Sequence, residues 1–175
     1  MTRAITLLHN LEARAAAGAS VTMLEWALAI SPIAPVFPLV AGTKVPPKGF
    51  TAFYERASSA ESVIRPWWSA DPDANIGVST RGLFVLDIDR KGKRNGIASL
   101  QDLAIHEGLD LPPTFRVRTP SGGEHRYYRL PLGAGPVPCS VDRIARGVDV
   151  RGWHGYVVGP GSIVDGRRYQ VITNG

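Results

Sequence analysis

The stretch Leu83-Phe84-Val85-Leu86-Asp87-Ile88-Asp89 decides the fold, because it combines an apolar strand with two carboxylates. Successive side chains of a strand point to opposite faces, so the apolar residues at its even positions face a core. Asp87 and Asp89 then share the other face with Val85, about 7 Å apart along the strand. Two carboxylates arranged in this way can bracket one or two hard cations. The stretch therefore predicts a buried strand that carries a metal site.

The Asp-x-Asp spacing alone does not establish that site, because the chain contains a second copy at Asp71-Pro72-Asp73. That copy lies in a proline-bearing turn, where aspartate is favoured for its local hydrogen bonds. Asp87 and Asp89 instead end an apolar run, where two like charges repel each other and lose hydration. Such a pair is costly unless a cation lies between its members. Context favours a metal site over a structural pair of carboxylates.

The segment Thr119-Pro120-Ser121-Gly122-Gly123-Glu124-His125 joins two predicted strands. Its paired glycines allow a tight turn whose backbone N–H groups can converge on an anion. His125 begins the next strand, beside that turn. The segment by itself also fits an ordinary hairpin turn with a histidine at the strand edge. The presence of Asp87 and Asp89 in the same chain favours the other interpretation, a phosphate-binding turn with a histidine donor.

A third motif is Gly147-Val148-Asp149-Val150-Arg151-Gly152. Strand alternation puts Asp149 and Arg151 on one face and the two valines on the other. The charged pair has two interpretations. It could be a surface salt bridge worth under about 1 kcal/mol. It could also supply a third carboxylate for a metal, with a cation beside it for phosphate.

The remaining pattern predicts an α+β protein, with helices early in the chain and strands late. Helices are predicted over 2–18, 20–30 and 96–107, and a short one begins at a capping-box spacing, Ser58 and Glu61, and reaches Trp67 and Trp68. Residues 91–95 are predicted to form a polar loop. Strands are predicted over 34–40, 75–79, 83–89, 115–119, 125–130, 148–151, 156–158 and 169–172.

Composition indicates one soluble domain, and its charge fits either an anionic partner or solvated basic faces. The chain has 175 residues, and its single cysteine excludes an internal disulfide and a Cys-rich zinc site. The net charge of +5 arises after residue 114, where nine arginines face four acidic residues. Arginine suits phosphate because its planar fork holds oxygens bidentately, although solvated arginine faces would give the same count. No signal peptide or membrane span is predicted, since three prolines interrupt the longest uncharged stretch, and we expect a cytoplasmic protein.

The three motifs together resemble those of the primase-polymerase (Prim-Pol) domain of the archaeo-eukaryotic primase superfamily, found in phage and plasmid replication proteins. That family carries Asp-x-Asp/Glu on a strand, a small-x-His motif, and a third aspartate after a hydrophobic residue. The matching residues here are Asp87-Ile88-Asp89, Gly123-Glu124-His125 and Val148-Asp149, in the same order. Flanking segments at 42–50, 67–68, 75–78, 111–114 and 155–162 are also similar to the family. The resemblance covers about residues 26–171.

The resemblance implies a fold and a reaction. The fold would be a small α/β lobe packed on an RNA-recognition-like lobe, with the active site in the cleft between them. One Prim-Pol catalytic domain would span residues 1–175, with 1–25 as an N-terminal helical extension and 26–175 as the catalytic core. The reaction would be template-directed nucleotidyl transfer, in which a primer 3′-hydroxyl attacks the α-phosphorus of a nucleotide and pyrophosphate leaves.

The resemblance also assigns residues and partners. Asp87, Asp89 and Asp149 would hold two Mg²⁺ or Mn²⁺ ions, and His125 with the Ser121-Gly122-Gly123 turn would hold the triphosphate. Arg151, Lys48 and Arg118 would be further contacts to nucleotide or template. The partners would be single-stranded or primer–template DNA and dNTP or NTP substrates, in the host cytoplasm if the protein is encoded by a phage.

Two departures from the family and two rival functions bear on these expectations. A Cys-rich zinc stem is absent from the sequence, and many relatives continue into a helical bundle or a helicase region of a longer parent protein. We therefore expect template-directed extension more than primer synthesis. A two-metal nuclease would also use clustered carboxylates, but it does not need a triphosphate-binding turn. A non-catalytic nucleic-acid-binding module would need exposed aromatic residues, and the adjacent Tyr127 and Tyr128 face opposite ways.

Overall fold

The computed structural model describes residues 2–173 of the chain. The helices in this part are α1 (Thr2–Ala16), α2 (Met23–Ile30), α3 (Phe53–Arg56), α4 (Glu61–Ala70) and α5 (Gly96–His106). The strands are β1 (Val36–Leu39), β2 (Asn75–Ser79), β3 (Leu83–Ile88), β4 (Arg90–Lys91), β5 (Arg94–Asn95), β6 (Phe115–Arg118), β7 (Glu124–Arg129), β8 (Ser140–Ala145), β9 (Val148–Arg151), β10 (Tyr156–Val158), β11 (Ile163–Val164), β12 (Arg167–Arg168) and β13 (Gln170–Val171).

Two antiparallel sheets organise the fold and confirm the α+β prediction. The larger sheet has six strands in the order β13-β6-β7-β3-β9-β8, and the smaller has three in the order β1-β2-β10. Every named pairing between strands is antiparallel. Strand β3 lies inside the larger sheet, with β7 on one side and β9 on the other.

Strand β3 is covered on both faces, as its alternating sequence predicts. Val85 belongs to the main core, which packs α1, α2 and α4 against the two sheets. Leu86 and Ile88 point the other way, into a second core beneath α5. Burial of both faces fixes which residues of β3 point where, because a slip of one residue would exchange the two sets. Asp87 consequently lies on the side of the main core.

The N-terminal helices pack against the main core. Leu8 and Leu11 of α1 are buried. The carboxylate of Glu12 accepts hydrogen bonds from the Val171 N–H (2.9 Å) and from Arg168 (2.7 Å). A capping box begins α2, in which Thr22 and Glu25 each accept a hydrogen bond from the other's backbone N–H. The boundary at residue 25 stays a prediction, and residues 1, 174 and 175 of the predicted domain lie outside the described residues.

Three local predictions were wrong. Residues predicted as a polar loop form a short hairpin, β4 and β5, in which Arg90 pairs with Asn95. The capping box expected at Ser58 and Glu61 is absent, because Ser58 pairs with Val36 and the helix begins later, after Ala60. Strands β8, β11 and β12 were not predicted, since β8 is a mostly exposed edge strand without apolar alternation and the other two have two residues each.

The helices carry one further result. No helix of residues 2–173 combines the length and the apolar character needed to cross a membrane.

Gly161 provides a test of how closely the N-terminal region packs against the last strands. Its φ is +86°, and a Cβ there would collide with the indole ring of Trp26. Gly166, in the β11–β12 turn, also has a positive φ (+70°), but a Cβ there would meet open space. We predict that Gly166→Ala costs about 1 kcal/mol of unfolding free energy for backbone strain alone. Gly161→Ala should cost roughly 1–3 kcal/mol more through the collision.

Urea denaturation followed by circular dichroism measures both variants. Equal losses of unfolding free energy for Gly161→Ala and Gly166→Ala would contradict the close packing against Trp26.

Candidate active site

Strand register brings the acidic and histidine motifs into one row. Asp87 of β3 is the direct cross-strand partner of His125 on β7 and of Asp149 on β9. Side chains at directly opposed positions of antiparallel strands point to the same face and lie within contact distance. His125 is 3% exposed and Asp149 is 6% exposed, so the row is largely shielded from water.

His125 contacts Asp87 on one side and an aromatic ring on the other. Its Nε2 lies 3.4 Å from Oδ1 of Asp87, and its ring centroid is 5.6 Å from that of Tyr169. The other ring nitrogen, Nδ1, is buried and has no hydrogen-bond partner among the described residues. The imidazole is therefore held in place by Asp87 and Tyr169.

Arg151 bridges the two buried carboxylates of the row. Its Nε and Nη2 each donate to Oδ2 of Asp87 at 3.2 Å, and Nη2 also donates to Oδ2 of Asp149 at 3.0 Å. The other oxygen of Asp149 accepts the Asp142 N–H at 3.1 Å. Of the two interpretations of the Asp149–Arg151 pair, a surface salt bridge is excluded, because Asp149 is buried and Arg151 also binds Asp87.

Asp87, within β3, and Asp89, directly after it, have opposite electrostatic environments. Burial raises the pKa of Asp87, but the hydrogen bond and charge of His125, together with Arg151, outweigh it and bring the pKa to about 2. The pKa of Asp89 is raised, first by burial and then by the charges of Asp87 and Asp149. Arg94, 3.9 Å away, offsets this rise only in part. Asp89 is thus the carboxylate of the group that most lacks a cation.

The glycine turn lies against the end of β3. A Cβ at Gly123 would collide with the carbonyl oxygen of Ile88, so only glycine allows this approach. Within the turn, the Gly122 N–H donates to the carbonyl oxygen of Thr119 at 2.9 Å, and Gly122 has a φ of +86°. That N–H is therefore already used within the turn, and the hydroxyls of Thr119 and Ser121, 3.0 Å apart, are polar groups that the turn presents.

A cavity of about 350 Å³ opens over the row. We call it the active cavity. The larger sheet and its turns supply most of the lining, and β10 of the smaller sheet closes one side. Its lining residues are Lys44, Asp87, Asp89, Thr119, Ser121, His125, Arg151, Tyr156, Val157, Val158 and Tyr169.

Most of the predicted site residues meet here. Asp87, Asp89, Ser121, His125 and Arg151 line the active cavity. Asp149 does not line it but binds Arg151, and Gly122 and Gly123 belong to the turn that carries Ser121. Lys48 and Arg118 are exposed and do not line the cavity.

Lys44, Tyr156 and Tyr169 line the cavity but were not predicted from the sequence. Lys44 belongs to the same Gly/Pro/Lys loop as Lys48, and the Tyr156 hydroxyl donates to its carbonyl oxygen at 3.0 Å. The family resemblance assigned Lys48 of this loop to the site, whereas the fold brings Lys44 to the cavity. Tyr169 had no signal, because an aromatic residue in a predicted strand is usually part of a core.

The donor atoms fit a hard divalent cation that substrate would help to coordinate. Among residues 2–173, no three carboxylate, imidazole or thiol groups are close enough to form a metal centre by themselves. Asp87, Asp89 and Asp149 nevertheless supply only oxygen donors, and the pKa of Asp89 is raised by burial and then by the charges of the other two. Mg²⁺ usually takes one or two carboxylates and completes its octahedron with water and substrate phosphates.

Comparison with known families assigns the chain. The family model described as "Bifunctional DNA primase/polymerase, N-terminal" (Prim-Pol) matches residues 27–175. The chain therefore belongs to the Prim-Pol family, and the resemblance found in its motifs is confirmed. Membership indicates a DNA primase/polymerase, an enzyme of the nucleotidyltransferase type that acts in replication. A comparison with curated proteins gives no match.

The opposite environments of Asp87 and Asp89 predict opposite effects of neutralising them. The folded pKa of Asp87 lies below its ordinary value of 3.8, so its charge stabilises the fold above that pH and stops doing so as the pH falls through about 2. In a metal chelator at pH 7, Asp87→Asn should lose about 2 kcal/mol of unfolding free energy relative to the wild type. The difference should shrink below pH 4.

Asp89→Asn should instead raise the unfolding free energy at pH 7. The pKa of Asp89 is raised in the folded state, which means that its charged form destabilises the fold. We expect this variant to be more stable than the wild type at pH 7 and to lose that advantage in acid. Urea denaturation at pH 7, 5, 4 and 3 measures both. Losses of the same sign for the two variants at pH 7 would contradict this electrostatic description.

Proposed function

We propose that this chain is a metal-dependent, template-directed nucleotidyltransferase, the catalytic domain of a phage or plasmid DNA primase/polymerase. One observation carries the proposal: Asp87 lies between His125 and Asp149 in cross-strand register beneath the active cavity. Carboxylates for divalent ions and cationic donors for phosphate are the two requirements of phosphoryl transfer. The family assignment supports the same reaction class.

In this proposal the two sheets would be the two lobes implied by the family resemblance. The six-stranded antiparallel sheet, with α5 packed on one face, would be the RNA-recognition-like lobe. The three-stranded sheet with the N-terminal helices would be the small α/β lobe. Support comes from the lining of the active cavity, to which the larger sheet contributes Asp87, His125 and Arg151 and the smaller sheet contributes β10. The cavity would then be the catalytic cleft.

In this proposal Asp87, Asp89 and Asp149 hold Mg²⁺ or Mn²⁺. Bound ions would supply activation of the primer 3′-hydroxyl and neutralisation of the pyrophosphate that leaves. The hydroxyls of Thr119 and Ser121 and the imidazole of His125 face the same cavity and would bind the triphosphate. His125 would bind it through Nε2, which lies 3.4 Å from Oδ1 of Asp87 in this structure, because Nδ1 is buried. The ring of Tyr169 keeps the imidazole in place.

Arg151 has two competing roles. Its guanidinium binds the Oδ2 atoms of Asp87 and Asp149, which are oxygens that a divalent cation would also use. A guanidinium released from these carboxylates remains in the active cavity, where it would bind a phosphate bidentately. Arg151 would thus stabilise the carboxylates when the metal is absent and contact the nucleotide when the metal is bound.

The non-catalytic binding module receives no support from the aromatic residues that it would need. Tyr127 is 5% exposed and belongs to the main core. Tyr128 stacks on Phe84 on the opposite side of the sheet from the active cavity, with ring centroids 5.3 Å apart. Neither tyrosine offers an exposed stacking face over the row of Asp87 and His125.

Primer extension tests the proposed function. The wild type should extend a labelled primer on a template when dNTPs or NTPs and Mg²⁺ or Mn²⁺ are present. Asp87→Ala/Asp89→Ala should reduce the rate by at least about 10³-fold, because it removes two of the three carboxylates for the metal. The matched control is Asp71→Ala/Asp73→Ala, which removes the other Asp-x-Asp from an exposed turn. That variant should extend primers at the wild-type rate.

The other outcomes are distinguishable. Shortening of the primer without nucleotides would contradict the polymerase function and indicate a two-metal nuclease. If no protein extends the primer, and the wild type and Asp87→Asn/Asp89→Asn bind DNA equally well, the chain is a binding module and not a polymerase.

The competition at Arg151 makes a separate prediction. Arg151→Gln should bind Mn²⁺ roughly 10-fold more tightly in the absence of nucleotide, since a difference of about 1.4 kcal/mol in competing charge corresponds to that factor. Its KM for nucleotide should rise by a similar factor. Electron paramagnetic resonance of free Mn²⁺ gives the first quantity, and steady-state extension gives the second. Arg118→Gln is the control, because it removes the same charge outside the cavity; equal Mn²⁺ affinities in both variants would refute the competition.

A further inference from the structure

A second and larger cavity, of about 590 Å³, adjoins the active cavity. We call it the basic chamber. It shares Lys44, Asp89, Ser121 and Tyr169 with the active cavity, so the two spaces meet at Asp89 and at the glycine turn. Its lining residues are Lys44, Asp89, Arg90, Lys91, Gly92, Pro120, Ser121, Val164, Asp165, Arg167 and Tyr169.

The chamber has an excess of positive charge that the protein does not neutralise. Four cationic side chains, Lys44, Arg90, Lys91 and Arg167, line it with two carboxylates, Asp89 and Asp165, which leaves +2. Ion pairs between side chains of residues 2–173 include none of these four cations. Cations clustered around one cavity without partners produce a positive potential that attracts an anion.

Arg90 and Lys91 stand on a hairpin whose base is fixed to the active site. The hairpin β4–β5 begins directly after Asp89, whose N–H donates to the Gly147 carbonyl oxygen at 2.8 Å. On its other strand, Arg94 donates to Asp142 at 3.0 Å. Opposite the hairpin, the side chain of Arg90 approaches the glycine turn, since a Cβ at Gly122 would lie 3.8 Å from its Cδ. Arg90 is therefore held beside the glycine turn, and the hairpin that carries Arg90 and Lys91 begins directly after Asp89.

We propose that the basic chamber binds the sugar–phosphate backbone at the 3′ end of the primer strand. This inference rests on the proposed function, because a nucleotidyltransferase needs two substrates to meet at its metal-binding carboxylates. The active cavity, with His125 and Arg151, takes the nucleotide, and the adjoining chamber takes the strand that attacks it. Asp89 lines both spaces, whereas Asp87 lines only the first, so the 3′-hydroxyl arrives at Asp89.

Proteins bind the nucleic-acid backbone without sequence preference through lysine and arginine contacts to its phosphates. Each phosphate neutralised by a lysine or arginine releases counterions and steepens the salt dependence of binding. Arg90 and Lys91 on one hairpin, with Arg167 on the facing hairpin β11–β12, provide such contacts on two sides of the chamber. The chain itself therefore supplies the contacts to the primer backbone.

The hairpin provides a matched pair of lysines for the test. Lys91 lines the chamber, and Lys93 lies two residues away on the same exposed hairpin without lining it. Fluorescence anisotropy with a labelled primer–template, in a metal chelator and without nucleotide, gives the DNA Kd at several salt concentrations. Lys91→Ala and Arg90→Ala should each weaken binding about fivefold and lower the salt slope by about one. Lys93→Ala should leave both quantities at the wild-type values.

Steady-state extension by the same variants distinguishes an effect on primer binding from an effect on nucleotide binding. We expect the KM for nucleotide to stay within about twofold of the wild type in Lys91→Ala, because its contact is to the strand. A raised nucleotide KM with unchanged DNA Kd would overturn the proposal and assign the chamber to the phosphate tail of the nucleotide. Equal effects of Lys91→Ala and Lys93→Ala, or no DNA binding by the wild type, would also overturn it.

The binding measurement does not depend on catalysis. A wild type that binds DNA through Lys91 but extends no primer would refute the proposed function and leave a nucleic-acid site in the basic chamber. If the wild type extends primers and Lys91→Ala leaves the DNA Kd unchanged, the proposed function is supported and the basic chamber is not the primer site.

Discussion

The central constraint on this molecule is the repulsion between carboxylates that the sheet forces together. Asp87 and Asp149 are cross-strand partners in a largely buried position, and Asp89 follows at the end of the same strand. Unit charges about 5 Å apart repel each other by roughly 3 kcal/mol at an effective dielectric constant near 20. His125 and Arg151 offset this cost because each binds Asp87 directly. The same repulsion makes the site suitable for a divalent cation, which would replace part of this compensation.

The sequence predicts the face on which each site residue lies, but not its neighbour across the sheet. Alternation along one strand is a local property, so it correctly puts Asp87 with Val85 and Asp149 with Arg151. The pairing of Asp87 with His125 and with Asp149 joins residues far apart in the chain, and it depends on strand order and register. The resemblance to a family brought these residues together, whereas periodicity alone could not have done so.

The sequence also could not predict the short strands or the roles of the loop cations, because both depend on contacts made only in the folded chain. Strands β4 and β5 have two residues each, too few to show a period, and their charged sequence resembles that of any polar loop. Four basic residues between Arg90 and Arg94 have the same chemistry in the sequence, yet the fold directs Arg94 to Asp142 and Asp89 and leaves Arg90 and Lys91 at a cavity. Side-chain direction, which only the folded chain defines, separates a structural cation from a candidate ligand.

Backbone packing explains how such a charged site keeps its geometry. Three glycines surround the end of β3, and each makes an approach that a side chain would block: Gly123 meets the Ile88 carbonyl oxygen, and Gly96 and Gly147 meet each other. The N–H and carbonyl oxygen of Asp89 bond to Gly147 and Gly96, both at 2.8 Å. Asp89 is therefore fixed by its main chain, although its side chain is the least compensated of the three carboxylates. A cation entering the site would therefore meet Asp89 on a backbone whose hydrogen bonds the cation does not compete for.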